Sequence, residues 1–449
     1  MPVVRAALRS LPFERALSAC IALTIVAFVL GSSSVPEIDR FGNKARWAML
    51  VVLLVVAAAA ARRAAPRRIP ASAAAAGWLL VLAVVSTAWS VDPRATFEHA
   101  AAFVLVLAAA GLAAAACARR PERALIGVLG GAVAVAVGGL VLLAVDRHWA
   151  LKRGSTGVPT RFRGLGLDAN TASLLYGVAL PIALFAVIRA RRTSHRVAAA
   201  AAFLLLDGSI VASGSRAPLV GGFVAALLLA LLVPTRRVAT AVALVALLAL
   251  SVGLGTIAKP LSTNPPPRLP AVPQPTPKAG YSNAEVVFPL EDDLGRSLPG
   301  QGETEQPRSL TGSSGRLAAW KGALHQAALR PVAGHGFGTE GIVFVDRYAN
   351  FAGGLPENSY IGLLLELGAV GLLSFVAVFV LWLADGARAW RASTPATRLV
   401  LLGAGAAFVS GLVMAFVQSY VYSAGNVATL SLWLCGFLLV AVAAEAKRA

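Results

Sequence analysis

Long apolar runs separated by short polar breaks fill most of this chain. The runs follow neither the two-residue period of a half-buried strand nor the narrow stripe of a soluble amphipathic helix. A helix needs about 20 apolar residues to cross the hydrocarbon core of a bilayer. On that basis the runs predict spans near 16–33, 45–61, 71–89, 95–118, 124–145, 170–188, 197–213, 217–233, 238–257, 358–384, 397–417 and 425–444. Twelve such spans put both termini on one side of the membrane. The first run follows a basic start (Arg5, Arg9, Arg15), as a signal peptide would. No small-x-small cleavage site follows Gly31-Ser32-Ser33-Ser34, so an uncleaved first span is expected.

Composition supports this reading. Only 14% of the residues are charged and 57% are hydrophobic, and mean hydropathy is +0.74. A soluble domain carries roughly a quarter charged residues, so a cytosolic enzyme, a disulfide-framed secreted module and a disordered tail are excluded. Forty Lys plus Arg against 21 Asp plus Glu leave a net charge of +19. With the N-terminus inside, that excess falls in the inner loops. They carry Arg62-Arg63, Arg67-Arg68, Arg119-Arg120, Arg123, Arg189, Arg191-Arg192, Arg196, Arg236-Arg237, Arg388, Arg391 and Arg398. Lys447-Arg448 adds to this in the C-terminal tail. The pattern is the positive-inside rule, so the basic balance reads as membrane orientation and not as nucleic-acid binding. Cys20, Cys117 and Cys435 lie in or at the ends of apolar runs without metal-ligand spacing, which predicts neither disulfides nor a zinc site.

The division that follows is a nine-helix membrane region (1–257), an extracytoplasmic loop (258–357) and three C-terminal spans (358–449). Outer segments break the charge pattern. The loop 146–169 carries Arg147, Lys152, Arg153, Arg161 and Arg163, and the tiny turn Ser213–Pro218 holds Arg216. Arginine on the outer face opposes insertion. It can snorkel to headgroups, or clamp phosphate oxygens with its planar fork of donors. The loop 258–357 begins Pro-rich and contains Glu291-Asp292-Asp293, which reads as a solvated acidic run. A helix is expected from about 314 to 330, stopped by Pro331. Its stripe Leu317, Trp320, Leu324 and Ala328 is flanked by Arg316 and Lys321, as in an amphipathic helix on the interface or packed over the bundle. Gly334-His335-Gly336-Phe337-Gly338 follows as a close-approach glycine turn, and Pro356-Glu357-Asn358-Ser359-Tyr360 opens the next span.

Taken in order, these segments resemble the O-antigen ligase and polymerase superfamily, membrane glycosyltransferases acting on polyprenyl-diphosphate-linked sugars. The likeness runs over roughly residues 75–380. It rests on Trp89-Ser90-Val91-Asp92-Pro93, Arg163-Gly164 with Asp168-Ala169-Asn170, Ser215-Arg216, Arg316 with Trp320, the glycine turn, and Asn358-Ser359-Tyr360 with Glu366-Leu367-Gly368. No single motif is specific; their order and placement are. The resemblance implies an all-α polytopic, GT-C-like fold of about twelve spans in a bacterial cytoplasmic membrane, with an extracytoplasmic active site. It also implies a lipid-linked glycan donor and a glycan, lipid or protein acceptor. Many ligases carry a histidine immediately before the asparagine of the last motif, regarded as the catalytic base. Here that position is Glu357. A carboxylate can serve as general base, so the chemistry is retained while the ligase label is weakened in favour of a polymerase or an unconventional ligase.

The mechanism implied is inverting transfer without metal or cofactor. Arg216 and Arg316, with Arg163 as a weaker third, would neutralise the departing diphosphate, and Glu357 would deprotonate the acceptor. Asn170, His335, Asn358 and Tyr360 are candidate substrate contacts, although Asn358 and Tyr360 serve equally as helix cap and anchor. His335 is also a rival base. A transporter or flippase of lipid-linked or small-molecule substrates fits twelve spans as well. Against it, the large outer segment follows the ninth span and does not divide two six-span halves. Few ionisable groups (Asp207, Glu366) fall within spans, where coupling sites belong. A non-catalytic scaffold would leave the outer arginines unexplained. The topology is testable: in a cysteine-free background, a cysteine at Ser282 is expected to react with a membrane-impermeant thiol reagent in intact cells. Labelling only after lysis would invert the sidedness.

Overall fold

The computed structural model describes residues 2–63, 71–152, 160–233, 316–344 and 355–446. In chain order the helices before the loop are α1 (Pro2–Leu30), α2 (Pro36–Arg63), α3 (Ala71–Val85, continued by a 3₁₀ turn at Ser86–Trp89), α4 (Pro93–Ala116) and α5 (Glu122–Val145). A short helix α6 (Arg147–Ala150) and a two-stranded ribbon, β1 (Leu151–Lys152) and β2 (Arg161–Phe162), come next. The ribbon is antiparallel, with Leu151 opposite Phe162 and Lys152 opposite Arg161. Then come α7 (Ala169–Arg189), α8 (Thr193–Ser213) and α9 (Arg216–Leu232). After the loop stand α10 (Arg316–Leu329), α11 (Glu340–Val343), α12 (Ser359–Ala392), α13 (Pro395–Met414) and α14 (Thr429–Ala446). The protein is all-α and polytopic. Nine of the described helices are long and apolar enough to cross a membrane, and α9 and the Arg15–Leu30 part of α1 are shorter apolar helices. The expected span near 238–257, the Pro-rich stretch and Glu291-Asp292-Asp293 lie outside the described residues.

Local chemistry sets where helices start. Asp92 accepts the Ala95 amide at 2.9 Å while Pro93 takes the first turn of α4, where its missing N–H costs nothing. Asp168 accepts the Asn170 amide at 2.9 Å and its own amide is received by Thr171 Oγ1 at 3.1 Å, a reciprocal capping box. Packing then orders the bundle. The helix α7 is almost wholly buried between α8, α9, α13 and α5, while α14 joins α4, α12 and α13. Their interior is aromatic: Trp433 meets Trp382 edge-on at 5.5 Å and Phe103 at 5.7 Å. Such pairs add about 0.5–1.5 kcal/mol each beyond burial. Both buried indoles are satisfied, Trp382 by the Ser72 carbonyl and Trp433 by the Val421 carbonyl.

The helix α12 is broken. Gly368 adopts φ 62°, ψ −162° inside it, a conformation open in practice to glycine alone. The break frees carbonyls and amides that a continuous helix would consume, and the segment 330–336 takes them up. His335 and Gly336 donate their amides to the carbonyls of Leu365 and Glu366 at 3.0 and 2.8 Å. Ala369 and Val370 donate to the carbonyls of Pro331 and Val332 at 2.8 and 3.2 Å. Such backbone-to-backbone exchange leaves no room for side chains. A Cβ at Gly368 would collide with the Val332 carbonyl, and one at Gly336, where φ is 109°, with Ser90. The glycine turn is therefore a close-approach device, as the sequence suggests, and what approaches is backbone of this same chain.

A helix spans Arg316–Leu329. Ala319, Ala323, Gln326 and Ala327 are buried, the alanines against Val343, Phe344 and Leu365, whereas Leu317 and Leu324 are 58% and 45% exposed. Small alanines let α10 approach α12 closely. Of the two arrangements open to the leucine stripe, packing over the bundle is not the one seen, since Leu317 and Leu324 face outward. Gly368→Ala is expected to cost about 3 kcal/mol or more through strain and overlap. Gly77→Ala and Gly208→Ala, where an added Cβ meets nothing within 4 Å, should stay within about 1 kcal/mol of the parent. Thermal unfolding in detergent, followed for all three variants, checks the contrast.

Candidate functional site

The segments 86–92, 146–152, 160–168, 214–215, 330–344, 355–358 and 415–428 lie at helix ends on one end of the bundle. The Trp89–Pro93 motif serves the glycine turn. Trp89 Nε1 donates to the Ala333 carbonyl at 2.9 Å, the Val91 amide to the His335 carbonyl at 2.9 Å, and Arg330 to the Trp89 carbonyl at 3.1 Å. Phe337 is fully buried at 5.3 Å from Phe103, with its amide on Ser86 Oγ at 3.0 Å. The turn is thereby locked to both α3–α4 and α12.

Against this frame sits Glu357. It is the only non-glycine residue with positive φ (48°) among the described residues, a conformation that a long side chain adopts only where its surroundings hold it. Three neighbours do so. Trp320 Nε1 donates to the adjacent Pro356 carbonyl at 2.8 Å. The Asn358 amide donates to Ser419 Oγ at 3.1 Å, and the Asn358 side chain caps α12 by accepting from Tyr360 and Ile361. Arg316 completes the hold, its Nε 2.7 Å from Glu357 Oε2 and its Nη2 on the same oxygen. Gln418 Nε2 also approaches that oxygen, at 3.4 Å. Both side chains of the ion pair are 27% exposed, so its value lies in orientation more than stability. All of these donors converge on one carboxylate oxygen; Oε1 receives no hydrogen bond from the described residues.

A second cluster lies at the α7–α8–α9 junction. Arg161, only 6% exposed, donates from Nε to the Ser213 carbonyl at 2.6 Å and from Nη2 to Asn170 Oδ1 at 2.7 Å and Ser215 Oγ at 3.1 Å. Ser215 Oγ in turn donates to Asn170 Oδ1 at 2.6 Å. Asn170 is therefore committed to this junction. Arg216 begins α9 immediately after it and is half-buried. The first turn of α9 abuts the end of α13, since a Cβ at Gly177 would meet both Met414 and Pro218. The chain beyond Met414 carries Gln418, so the Arg216 turn and Glu357 share one end of the bundle.

Other candidates are occupied differently. Arg163 donates to the carbonyls of Trp149 and His148 at 2.7 and 3.1 Å. His335 is buried with Nε2 3.1 Å from the Gln326 carbonyl. Burial, with Arg330 nearby, holds its pKa below the ordinary value despite that hydrogen bond. It is a neutral turn residue here, and its position suits neither substrate contact nor a base. The Tyr360 hydroxyl donates to the Leu412 carbonyl at 3.0 Å and its ring packs on Phe416 at 4.5 Å, so it anchors α12 to α13. Glu340, Gln418, Ser419 and Tyr422 join the site without having been candidates, and Arg161 was one of several outer arginines without an assigned role. The polar run Gln418–Tyr422 at the end of an apolar span was the available signal for three of them. Nothing in the sequence distinguished Arg161 from Arg163.

Arg161→Met is expected to cost about 3 kcal/mol, because a buried carbonyl and amide oxygen lose their donors. Arg163→Met, whose partners are carbonyls on a more open loop, should cost about 1 kcal/mol. Thermal unfolding of the two variants in one detergent checks the order.

Among curated proteins none matches the chain. Residues 199–376 match the family model for O-antigen ligases. That stretch of this multi-pass membrane protein runs from α8 through the Arg216 turn, α10, the glycine turn and Glu357 into α12.

Proposed function

We propose that the protein is an inverting glycosyltransferase that moves a glycan from a polyprenyl diphosphate to an acceptor hydroxyl outside the cytoplasmic membrane. It would act as a polysaccharide polymerase or ligase. The match of residues 199–376 to the O-antigen ligase family model supports the membrane glycosyltransferase role. The observation that carries the finer reading is the one-sided hold on Glu357. Arg316 and Gln418 bind Oε2, and no described residue bonds Oε1, which suits a general base whose second oxygen takes the acceptor proton. As the acceptor oxygen bonds to the anomeric carbon, the bond from that carbon to the diphosphate oxygen breaks. The electron pair leaves with the diphosphate, the proton passes to Glu357, and configuration inverts. Arg216 is suited to the departing charge, since a planar fork grips two phosphate oxygens at once. Neutralising that charge as it develops would supply much of the rate. Arg316 serves mainly to aim Glu357, which narrows the earlier expectation that it binds diphosphate outright.

The direct test supplies the purified chain with a polyprenyl-diphosphate-linked oligosaccharide and follows released polyprenyl diphosphate and product length. Longer carrier-linked products indicate a polymerase. Release that requires an added surface-carrier acceptor indicates a ligase, and no transfer to either overturns the reading. Activity is expected to persist in chelator.

Two substitutions check the roles. Glu357→Gln should lower turnover by roughly 10²–10⁴-fold, the usual range for losing a general base, while donor binding changes little. Glu357→His should recover part of that loss, because histidine tolerates positive φ better than most residues and accepts protons near neutral pH. Arg216→Lys should fail nearly as badly as Arg216→Ala. A lysine variant that keeps most activity would reduce Arg216 to a general electrostatic contributor.

A further inference from the structure

Two buried carboxyl groups lie behind Glu357, and the mechanism above does not use them. Glu340 opens α11 and is 4% exposed; Glu366 belongs to α12 and is 1% exposed. Glu366 Oε1 accepts the Glu340 amide at 3.1 Å, and its Oε2 is buried without a partner. Both oxygens of Glu340 are taken. Ser419 Oγ donates to Oε1 at 2.7 Å and the Tyr422 hydroxyl to Oε2 at 2.5 Å. Gly362 makes room for this arrangement, since a Cβ there would meet both the Tyr422 hydroxyl and Glu340 Oε1.

The direction of these bonds is determined. The Asn358 amide can only donate, so Ser419 Oγ receives it. The single hydroxyl proton of Ser419 then goes to Glu340, which must present a bare oxygen. A chain of two hydrogen bonds thus runs from Glu340 through Ser419 to the peptide that joins Glu357 to Asn358. The neighbouring Gln418 reaches the Glu357 carboxylate itself and receives the Ser359 amide on its carbonyl at 3.1 Å. Gln418 and Ser419 are adjacent residues holding the two ends of one strained position.

We propose that Glu340 is a positioning residue for glycosyl transfer, fixing the backbone at Glu357–Asn358 through Ser419 so that the Glu357 carboxylate keeps its open oxygen towards the acceptor. This rests on the reading of Glu357 as the base. The hold is also sensitive to protonation. Burial pushes Glu340 up to about 7, against the hydrogen bonds from Tyr422 and Ser419. Two carboxyl groups so close in a dry site cannot both be charged at little cost. The ionisable groups facing Glu340 are Glu366 from α12 and Tyr422 from the 415–428 segment. His335 lies on the glycine turn and His99 packs against Gly338 of the same turn. Protonation would turn one acceptor oxygen of Glu340 into a donor and so re-pair the Tyr422–Glu340–Ser419 chain.

The test uses the full chain in lipid nanodiscs, a polyprenyl-diphosphate-linked oligosaccharide as donor and acceptor, and released polyprenyl diphosphate as the signal. Ser419 is half-buried, so its variants should fold even where a Glu340 variant does not. Ser419→Ala is expected to lower kcat by roughly ten- to a hundredfold with little change in KM, as a small misplacement of a reacting group does. Ser419→Thr, which keeps the hydroxyl, should retain most of the rate. Glu340→Met, which removes the acceptor, should match Ser419→Ala, the double variant should be no worse than either, and the activity loss on acidification near pH 7 should shrink. Equal activity for Ser419→Ala and the parent overturns the proposal while leaving Glu357 in place, provided Glu357→Gln is impaired in the same assay. A fully active Glu357→Gln overturns both. Additive losses, or a fall in Ser419→Thr equal to that in Ser419→Ala, reduce the network to packing and overturn the positioning role.

Discussion

The break in α12 at Gly368 is the constraint on which the functional end of the bundle depends. A helix that stops hydrogen bonding to itself inside the membrane must find partners elsewhere, because lipid offers none. The partners here are the backbone groups of 331–336, bound in both directions across Leu365–Val370. That exchange pins a loop segment onto a span at backbone distance. It sets the height of α10, seats Phe337 in the aromatic core and fixes where the chain re-enters the bundle at Glu357. Replacing any of the close glycines by a larger residue would separate the two backbones and release everything mounted on them.

Charge is handled economically around this frame. The arginines at this end have distinct duties that a count of positive residues would merge. Arg161 is buried and spends its donors on the α7–α8–α9 junction. Arg163 holds two carbonyls of its own loop. Arg316 aims a carboxylate. Arg216 stands at the head of α9, where the dipole of the helix adds to its own positive charge and favours an anion. The acids are graded similarly: Glu357 is half-open and oriented from one side, whereas Glu340 and Glu366 are enclosed. The site is thus a short gradient from a wet carboxylate to a dry carboxyl pair, linked by Ser419.

Much of this was legible beforehand because it depends on local rules. Apolar run length marked the helices long enough to cross a membrane, and Asn358 was readable as the cap of α12. The order of motifs pointed to the superfamily that the match over 199–376 supports. The leucine stripe of α10 left open whether it packed on the bundle or faced outward, and small size, in Ala319, Ala323 and Ala327, decided the contact. His335 reads from sequence as a rival base or a substrate contact, and its ring is buried against the Gln326 carbonyl.

The sequence by itself determined an all-α polytopic membrane chain, its basic loops and the order of motifs that resembles the O-antigen ligase family, because each of these is written in neighbouring residues. Only the tertiary structure decided that Trp89–Pro93 serves the glycine turn, that Arg161 and not Arg163 is the buried clamp, and that Glu357 meets Arg316 and Gln418. It alone brought Glu340, Glu366, Ser419 and Tyr422 into one network. Those contacts join residues tens to hundreds of positions apart, and no local propensity or periodicity records which distant side chains a broken helix will bring together.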